Sequence, residues 1–105
     1  MTYAAFRSIG AYIPSKIMTN ADFEKLIETS DEWITKRTGI KERRLAEDHE
    51  APSDLGAKTA EVAIKRANIS KDEIDLIICA TVTPDFLCMP STACLIASKI
   101  GITNV

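Results

Sequence analysis

Residues 76–82 read Leu-Ile-Ile-Cys-Ala-Thr-Val, an apolar run in which polar and apolar positions do not alternate. A strand with one face in water alternates, whereas a strand of a parallel sheet is covered on both faces and is almost continuously hydrophobic. The run therefore predicts a strand of a parallel sheet and an α/β fold.

Helix signals lie on both sides of this run. Before it, Ser53 is placed to cap a helix that ends near Ala67, and Ser70-x-x-Glu73 fits a capping box. After it, Ser91 is placed to cap a helix that ends at Gly101, and residues 103–105 begin what reads as another strand. The alternation of strands and helices indicates the α/β class. Because a doubly covered strand needs neighbours that this sequence scarcely supplies, we expect residues 1–105 to be an incomplete domain.

The first half of the chain predicts shorter elements. Residues 5–13 are rich in aromatic and β-branched residues and end at Pro14, which indicates a strand. Asn20 is predicted to cap a short helix, and Thr29 or Ser30 a second one that closes at Gly39. Thr29-x-x-Glu32 fits a capping box, and residues 41–46 are charged and predict an exposed strand or turn.

Composition excludes several classes of function. The net charge of −2 gives no overall reason to bind nucleic acid or an anionic membrane. No apolar run approaches the roughly 18–20 residues of a membrane span, and the N-terminus does not read as a signal peptide, so we expect a cytoplasmic protein. The cysteines are odd in number and form no Cys-x-x-Cys pair, which indicates neither a disulfide framework nor a metal site. Cys79 and Cys94 are predicted to be buried, and Cys88 to be partly exposed.

The basic residues cluster in one stretch. Five of the 13 lysines and arginines lie between positions 36 and 44. Helical spacing places Trp33, Lys36 and Arg37 on one face, where the indole could stack on a base and the guanidinium could bind phosphate. The alternative is that Trp33 belongs to the core and the cations form a solvated face, which is the more frequent case for a single tryptophan. The residues alone leave both interpretations open.

A resemblance to a known family favours the first interpretation. Residues 29–44, Thr-Ser-Asp-Glu-Trp-Ile-Thr-Lys-Arg-Thr-Gly-Ile-Lys-Glu-Arg-Arg, closely resemble the N-terminal signature of the β-ketoacyl-acyl carrier protein synthase III family. Matching segments follow in the expected order and extend the resemblance over essentially the whole chain: residues 10–14, 19–22, 77–81 and 89–94. The resemblance implies the N-terminal part of a thiolase-like fold with αβαβα layers, in an enzyme that works as a homodimer.

The same resemblance implies an activity and roles for four residues. The family condenses an acyl-coenzyme A primer with malonyl-acyl carrier protein and so initiates fatty acid synthesis; the coenzyme A thioester is a substrate, and no cofactor is implied. Trp33 matches the position that stacks on the coenzyme A adenine, and Thr29 and Arg37 match positions that contact the same nucleotide. Met89 matches the loop position that reaches across the dimer to the partner's acyl pocket.

No catalytic residue of the family aligns within these 105 residues. The family uses a cysteine, a histidine and an asparagine, and the resemblance places the cysteine a short distance beyond Val105. We therefore expect the fragment alone to be inactive. Two other interpretations stay open on the sequence: a related condensing enzyme of secondary metabolism, and a small nucleic-acid-binding module that uses residues 36–44.

Overall fold

The computed structural model describes residues 3–105. The chain divides into two compact units. One comprises residues 13–49, here called the hairpin unit. The other comprises residues 50–105 with the N-terminal stretch that ends at Tyr12, here called the helical unit.

The hairpin unit contains two short strands and two short helices. In chain order these are β1 (Lys16–Thr19), α1 (Asn20–Glu24), α2 (Asp31–Thr38) and β2 (Glu42–Leu45). The strands pair antiparallel, with Ile17 opposite Arg44 and Thr19 opposite Glu42. The strand predicted over residues 41–46 is therefore confirmed.

The helix ends of the hairpin unit correct one predicted cap and one predicted capping box. Thr19, not Asn20, caps α1: its hydroxyl accepts a hydrogen bond from the Asp22 N–H, and the Asp22 carboxylate accepts one from the Thr19 N–H. Ser30, one of the two predicted caps of α2, is confirmed, since its hydroxyl accepts a hydrogen bond from the Trp33 N–H at 3.1 Å. The predicted capping box between Thr29 and Glu32 is wrong. Gly39 ends α2 with φ 71°, a backbone conformation that favours glycine, as predicted.

The helical unit packs two helices on one small core. Helix α3 spans Pro52–Ala67, a 3₁₀ turn spans Lys71–Glu73, and α4 spans Thr92–Ile100. The capping box at Ser70, the Ser91 cap and the closing Gly101 are confirmed. Ser53 does not cap α3. The capping residue is Ala51, whose N–H donates a hydrogen bond to the Asp54 carboxylate. The core consists of apolar side chains of α3, α4 and the residue after Gly101: Ala57, Ile96, Ala97, Ile100 and Ile102.

The stretch from residue 76 to 82 forms no strand in the described residues, which contradicts the prediction of a doubly covered one. Ile77 and Cys79 pack against the core, whereas Ile78 and Val82 are exposed. A strand is defined by hydrogen bonds to a neighbour, and residues 3–105 provide none for this segment. The helices cover one face only, and the other face remains bare.

Residues 5–13 likewise pair with no strand in the described chain, although they lie along α3. The Ser8 hydroxyl donates to the Ala63 carbonyl at 2.7 Å. A Cβ atom at Gly10 would lie 2.5 Å from the Thr59 carbonyl oxygen, so the chain approaches α3 more closely than any other residue type allows. Among the helices of residues 3–105, none has both the length and the apolar character needed to cross a membrane.

Candidate nucleotide-binding site

Helix α2 presents an aromatic ring and a cation side by side. The guanidinium carbon of Arg37 lies 4.7 Å from the centroid of the Trp33 ring, within the range of a cation–π contact. Trp33 is 54% exposed, while its neighbour Ile34 is the buried residue of the helix. Trp33 is therefore not a core residue of the hairpin unit, and the core interpretation of this tryptophan is wrong for this chain.

A shallow pocket adjoins the Trp33 ring. Its volume is about 320 Å³, at the lower end of the range of small-molecule sites. It is lined by the segment that leads into α2 and by the tryptophan itself: Ile27, Glu28, Thr29, Ser30 and Trp33. The structure thus brings together the three residues predicted to contact a nucleotide, because Thr29 and Trp33 share the pocket and Arg37 lies over the ring. An aromatic face, a hydroxyl and a guanidinium can respectively stack, hydrogen-bond and bind phosphate.

Two cations of the basic stretch are used inside the hairpin unit. The Arg43 guanidinium donates to the side-chain oxygen of Asn20 at 2.6 Å and lies over the ring of Phe23. The Arg44 guanidinium donates to the backbone carbonyls of Pro14 and Ser15. These arginines stabilise the fold of the unit, so residues 36–44 do not act as one continuous cationic strip.

Met89 lies in the helical unit, in an apolar loop that is anchored at its start. Leu87 and Met89 are exposed, and Asp85 precedes them. The Asp85 carboxylate accepts hydrogen bonds from the N–H of Ser53 at 3.0 Å and from its hydroxyl at 2.6 Å. Burial raises the pKa of Asp85, but the hydrogen bonds from Ser53 and Thr92 outweigh it, and the pKa is lowered overall.

Comparison with known proteins assigns these residues to a family. The chain is 79% identical to a β-ketoacyl-acyl carrier protein synthase III of Aliarcobacter butzleri over 105 residues, which are 32% of that protein. The crystal structure of a 3-oxoacyl-acyl carrier protein synthase III from Aquifex aeolicus superimposes with a TM-score of 0.86 at 47% identity, covering 93% of this chain and 31% of the other. A priming β-ketosynthase of the R1128 polyketide pathway also superimposes with a TM-score of 0.86, at 31% identity over 94% and 29% of the two chains.

The chain corresponds to the N-terminal third of β-ketoacyl-acyl carrier protein synthase III. It spans about a third of the length of the curated relatives it matches, 32% for the one from Aliarcobacter butzleri. No protein-family model matches it. The predicted family, the mixed α/β class and the thiolase-like fold are confirmed by the relatives and by the superimposed structures.

The cysteines of this synthase III segment are all free, and one prediction about them is wrong. Cys79 is half-buried against the core, and Cys88 is exposed in the Met89 loop. Cys94 is exposed rather than buried, because α4 turns Ile96, Ala97 and Ile100 inward and Cys94 lines a surface groove beside Leu76. In residues 3–105, no three or more His, Cys, Asp or Glu side chains are grouped to hold a metal ion.

Sequence reasoning missed Asn20, the residue that holds α2 in place. Its residue type favours a helix cap, whereas Thr19-x-x-Asp22 has the spacing of a capping box and places the cap at Thr19. That one-residue shift leaves Asn20 inside the unit, where it is buried. No local sequence pattern indicates the role of Asp85, because its hydrogen-bond partner Ser53 is 32 positions away in the chain.

Proposed function

We propose that the protein containing these residues condenses an acyl-coenzyme A primer with malonyl-acyl carrier protein, releasing carbon dioxide and coenzyme A. In this proposal residues 1–105 bind the coenzyme A nucleotide, and the residues that carry out the chemistry lie outside them. The observation that carries the proposal is the exposed Trp33–Arg37 pair beside the Thr29 pocket. The 79% identity to a curated synthase III supports it.

The adenine of coenzyme A is proposed to stack on Trp33. With the Arg37 guanidinium over one face of the indole, the remaining face offers a plate of the size and shape of a purine. A purine stacks on an aromatic side chain with a gain of about 1–3 kcal/mol. Arg37 is then placed to bind phosphate oxygens of the same nucleotide, and the Thr29 hydroxyl to hydrogen-bond to it.

Met89 is proposed to meet a second copy of the protein. The loop that carries it presents Phe86, Leu87 and Met89 with their side chains exposed. A contiguous exposed run of apolar side chains commonly marks a surface that a partner or a ligand covers. A homodimer in which this loop borders the partner's acyl pocket provides that cover. We further propose the cytoplasm as the location of the enzyme, as the compartment in which it would meet acyl-coenzyme A and malonyl-acyl carrier protein.

The proposed activity is tested on the full-length protein. Incubation with radiolabelled acetyl-coenzyme A and malonyl-acyl carrier protein is expected to give 3-ketoacyl-acyl carrier protein, detected as transfer of the acetyl label to the carrier protein. Residues 1–105 alone are expected to give no product, which serves as the control. Absence of product with the full-length protein and a panel of straight and branched primers would contradict the proposal.

A further inference from the structure

Asn20 is 2% exposed, and its side-chain amide bonds to both ends of helix α2. The Nδ2 group donates to the carboxylate of Asp31, the first residue of α2, at 2.7 Å. It also donates at 2.8 Å to the carbonyl of Ile40, which follows the Gly39 that closes the helix. Thr35, in the middle of α2, lies at 3.4 Å from the same nitrogen. One buried side chain therefore fixes the start and the end of α2.

The chemistry of the partners fixes the orientation of the Asn20 amide. The Asp31 carboxylate and the Ile40 carbonyl only accept hydrogen bonds, so the NH₂ group must face them. The Arg43 guanidinium only donates, and it reaches the Asn20 oxygen at 2.6 Å. A flipped amide would lose all of these contacts, and a buried amide without partners is costly.

Arg43 and Asp31 make this network an electrostatic one. Arg43 lies on β2 and carries a positive charge to the amide oxygen, while its guanidinium also lies over the ring of Phe23. Asp31 receives hydrogen bonds from Asn20 and from Thr35, which lower the pKa of its carboxyl in that order of importance. Asn20 thus joins a cation on one strand to an anion at the start of α2, and both hydrogen bonds are strengthened by charge.

The network and the candidate site lie on opposite faces of α2. Asp31 and Thr35 are four residues apart and share the face turned to Asn20. Trp33 and Arg37 are each two residues further on, a rotation of about 200° around the helix axis. A helix of this length is rigid, so whatever sets the position of its inner face also sets the position of the Trp33–Arg37 pair.

We infer that Asn20 is a positioning residue for the nucleotide of acyl-coenzyme A, acting through α2 on Trp33 and Arg37 without touching the ligand. The inference rests on the proposed function, because it takes coenzyme A as the ligand of the Trp33 face. Loss of the amide donors lets the start and end of α2 shift. A stack and a guanidinium contact both depend on sub-ångström placement, so coenzyme A binds more weakly.

The test measures the Kd of free coenzyme A for the full-length enzyme by titration calorimetry. Asn20→Asp keeps the size of the side chain and the acceptor for Arg43 but replaces the donors with an oxygen that faces Asp31. Arg43→Lys keeps the charge and removes the planar guanidinium, in case Asn20→Asp does not fold. Each variant is expected to raise the Kd about fivefold or more, with KM for acyl-coenzyme A rising in step and kcat changing less than KM.

Two control variants distinguish the possible causes of weaker coenzyme A binding. Ser53→Ala removes an equally buried polar side chain from the helical unit and is expected to leave the Kd unchanged. Trp33→Ala tests whether coenzyme A binds at the Trp33 ring.

The outcomes separate the positioning role from the proposed function. If Trp33→Ala weakens binding of coenzyme A while Asn20→Asp and Arg43→Lys bind it normally, the positioning role is overturned and the proposed function stands. If the Trp33→Ala variant also has the wild-type Kd for coenzyme A, the proposed nucleotide site is contradicted. If Ser53→Ala weakens binding as much as Asn20→Asp, general destabilisation explains the effect and the inference is overturned.

Discussion

The carboxylate of Asp85 holds Ser53 by two hydrogen bonds, one from its N–H at 3.0 Å and one from its hydroxyl at 2.6 Å. Ser53 lies in the first turn of α3, where N–H groups have no partner within the helix. Asp85 therefore satisfies the start of α3 and, in the same contact, anchors the loop that leads to Met89. Ser53 is fully buried, so water cannot replace the lost partner.

Removal of the Ser53 hydroxyl is predicted to destabilise the protein. Ser53→Ala deletes a buried hydrogen bond to a carboxylate, which costs about 1.5–3 kcal/mol. The measurement is the midpoint of thermal unfolding of the full-length protein. Ser98→Ala, at an exposed position of α4, is the control and should change the midpoint little. A Ser53→Ala protein as stable as the wild type would show that the Asp85 contact contributes nothing net.

Acid is predicted to weaken the cap of α1. Hydrogen bonds from the Thr19 hydroxyl, from Lys25 and from the Thr19 N–H lower the pKa of Asp22 to about 2. A carboxyl with a lowered pKa stabilises the folded state above its ordinary value of 3.8, and this contribution is lost as the pH falls from there towards 2. The carboxyl carbon shift of Asp22, followed by NMR, should titrate near pH 2.

Thr19→Val provides the matched variant for this titration. It removes the hydroxyl that contributes most to the lowered pKa of Asp22, while it keeps the shape of the side chain. The midpoint for Asp22 should then move up towards its ordinary value. An Asp22 carboxyl that titrates near 4 in the wild type would contradict the capping box.

Gly10 is predicted to tolerate no side chain. A Cβ atom there would lie 2.5 Å from the Thr59 carbonyl oxygen and 2.7 Å from the Ala63 nitrogen, both backbone atoms that cannot give way without moving α3. Gly10→Ala should therefore destabilise the full-length protein by about 1–3 kcal/mol, measured by urea unfolding. Gly39→Asn is the control: a Cβ at Gly39 meets no atom within 4 Å, and asparagine tolerates its positive φ, so this variant should cost less.

Residues 1–105 alone are predicted to self-associate. Ile78 and Val82 on the bare face of their segment, and Leu87 and Met89 on the loop, are exposed in this chain. Light scattering at micromolar concentration should show a dimer or larger species. The double variant Val82→Thr, Leu87→Ser should shift the distribution towards monomer. A stable monomer of the unmodified chain would show that these surfaces need no cover.

Local signals predicted several helix ends correctly, whereas features that depend on contacts between residues distant in the chain were not predicted. Ser91, Gly101 and the Ser70 box were predictable because a cap involves only residues within one turn. The exposure of the face that carries Ile78 was not predictable, because the residues that would pack on this segment are distant in the chain. The sequence pattern of Trp33 is compatible with a core residue and with a ligand-stacking residue; in this chain its side chain is exposed, and its binding role stays a prediction.

We propose that the Trp33 face of α2 binds the nucleotide of coenzyme A. The most direct test is the Kd of coenzyme A for the full-length enzyme and its Trp33→Ala variant, with Trp33→Phe as the matched control that keeps an aromatic face. Loss of a stack worth about 1–3 kcal/mol predicts a Kd raised roughly fivefold to more than a hundredfold for Trp33→Ala and much less for Trp33→Phe. An unchanged Kd for Trp33→Ala would contradict the account.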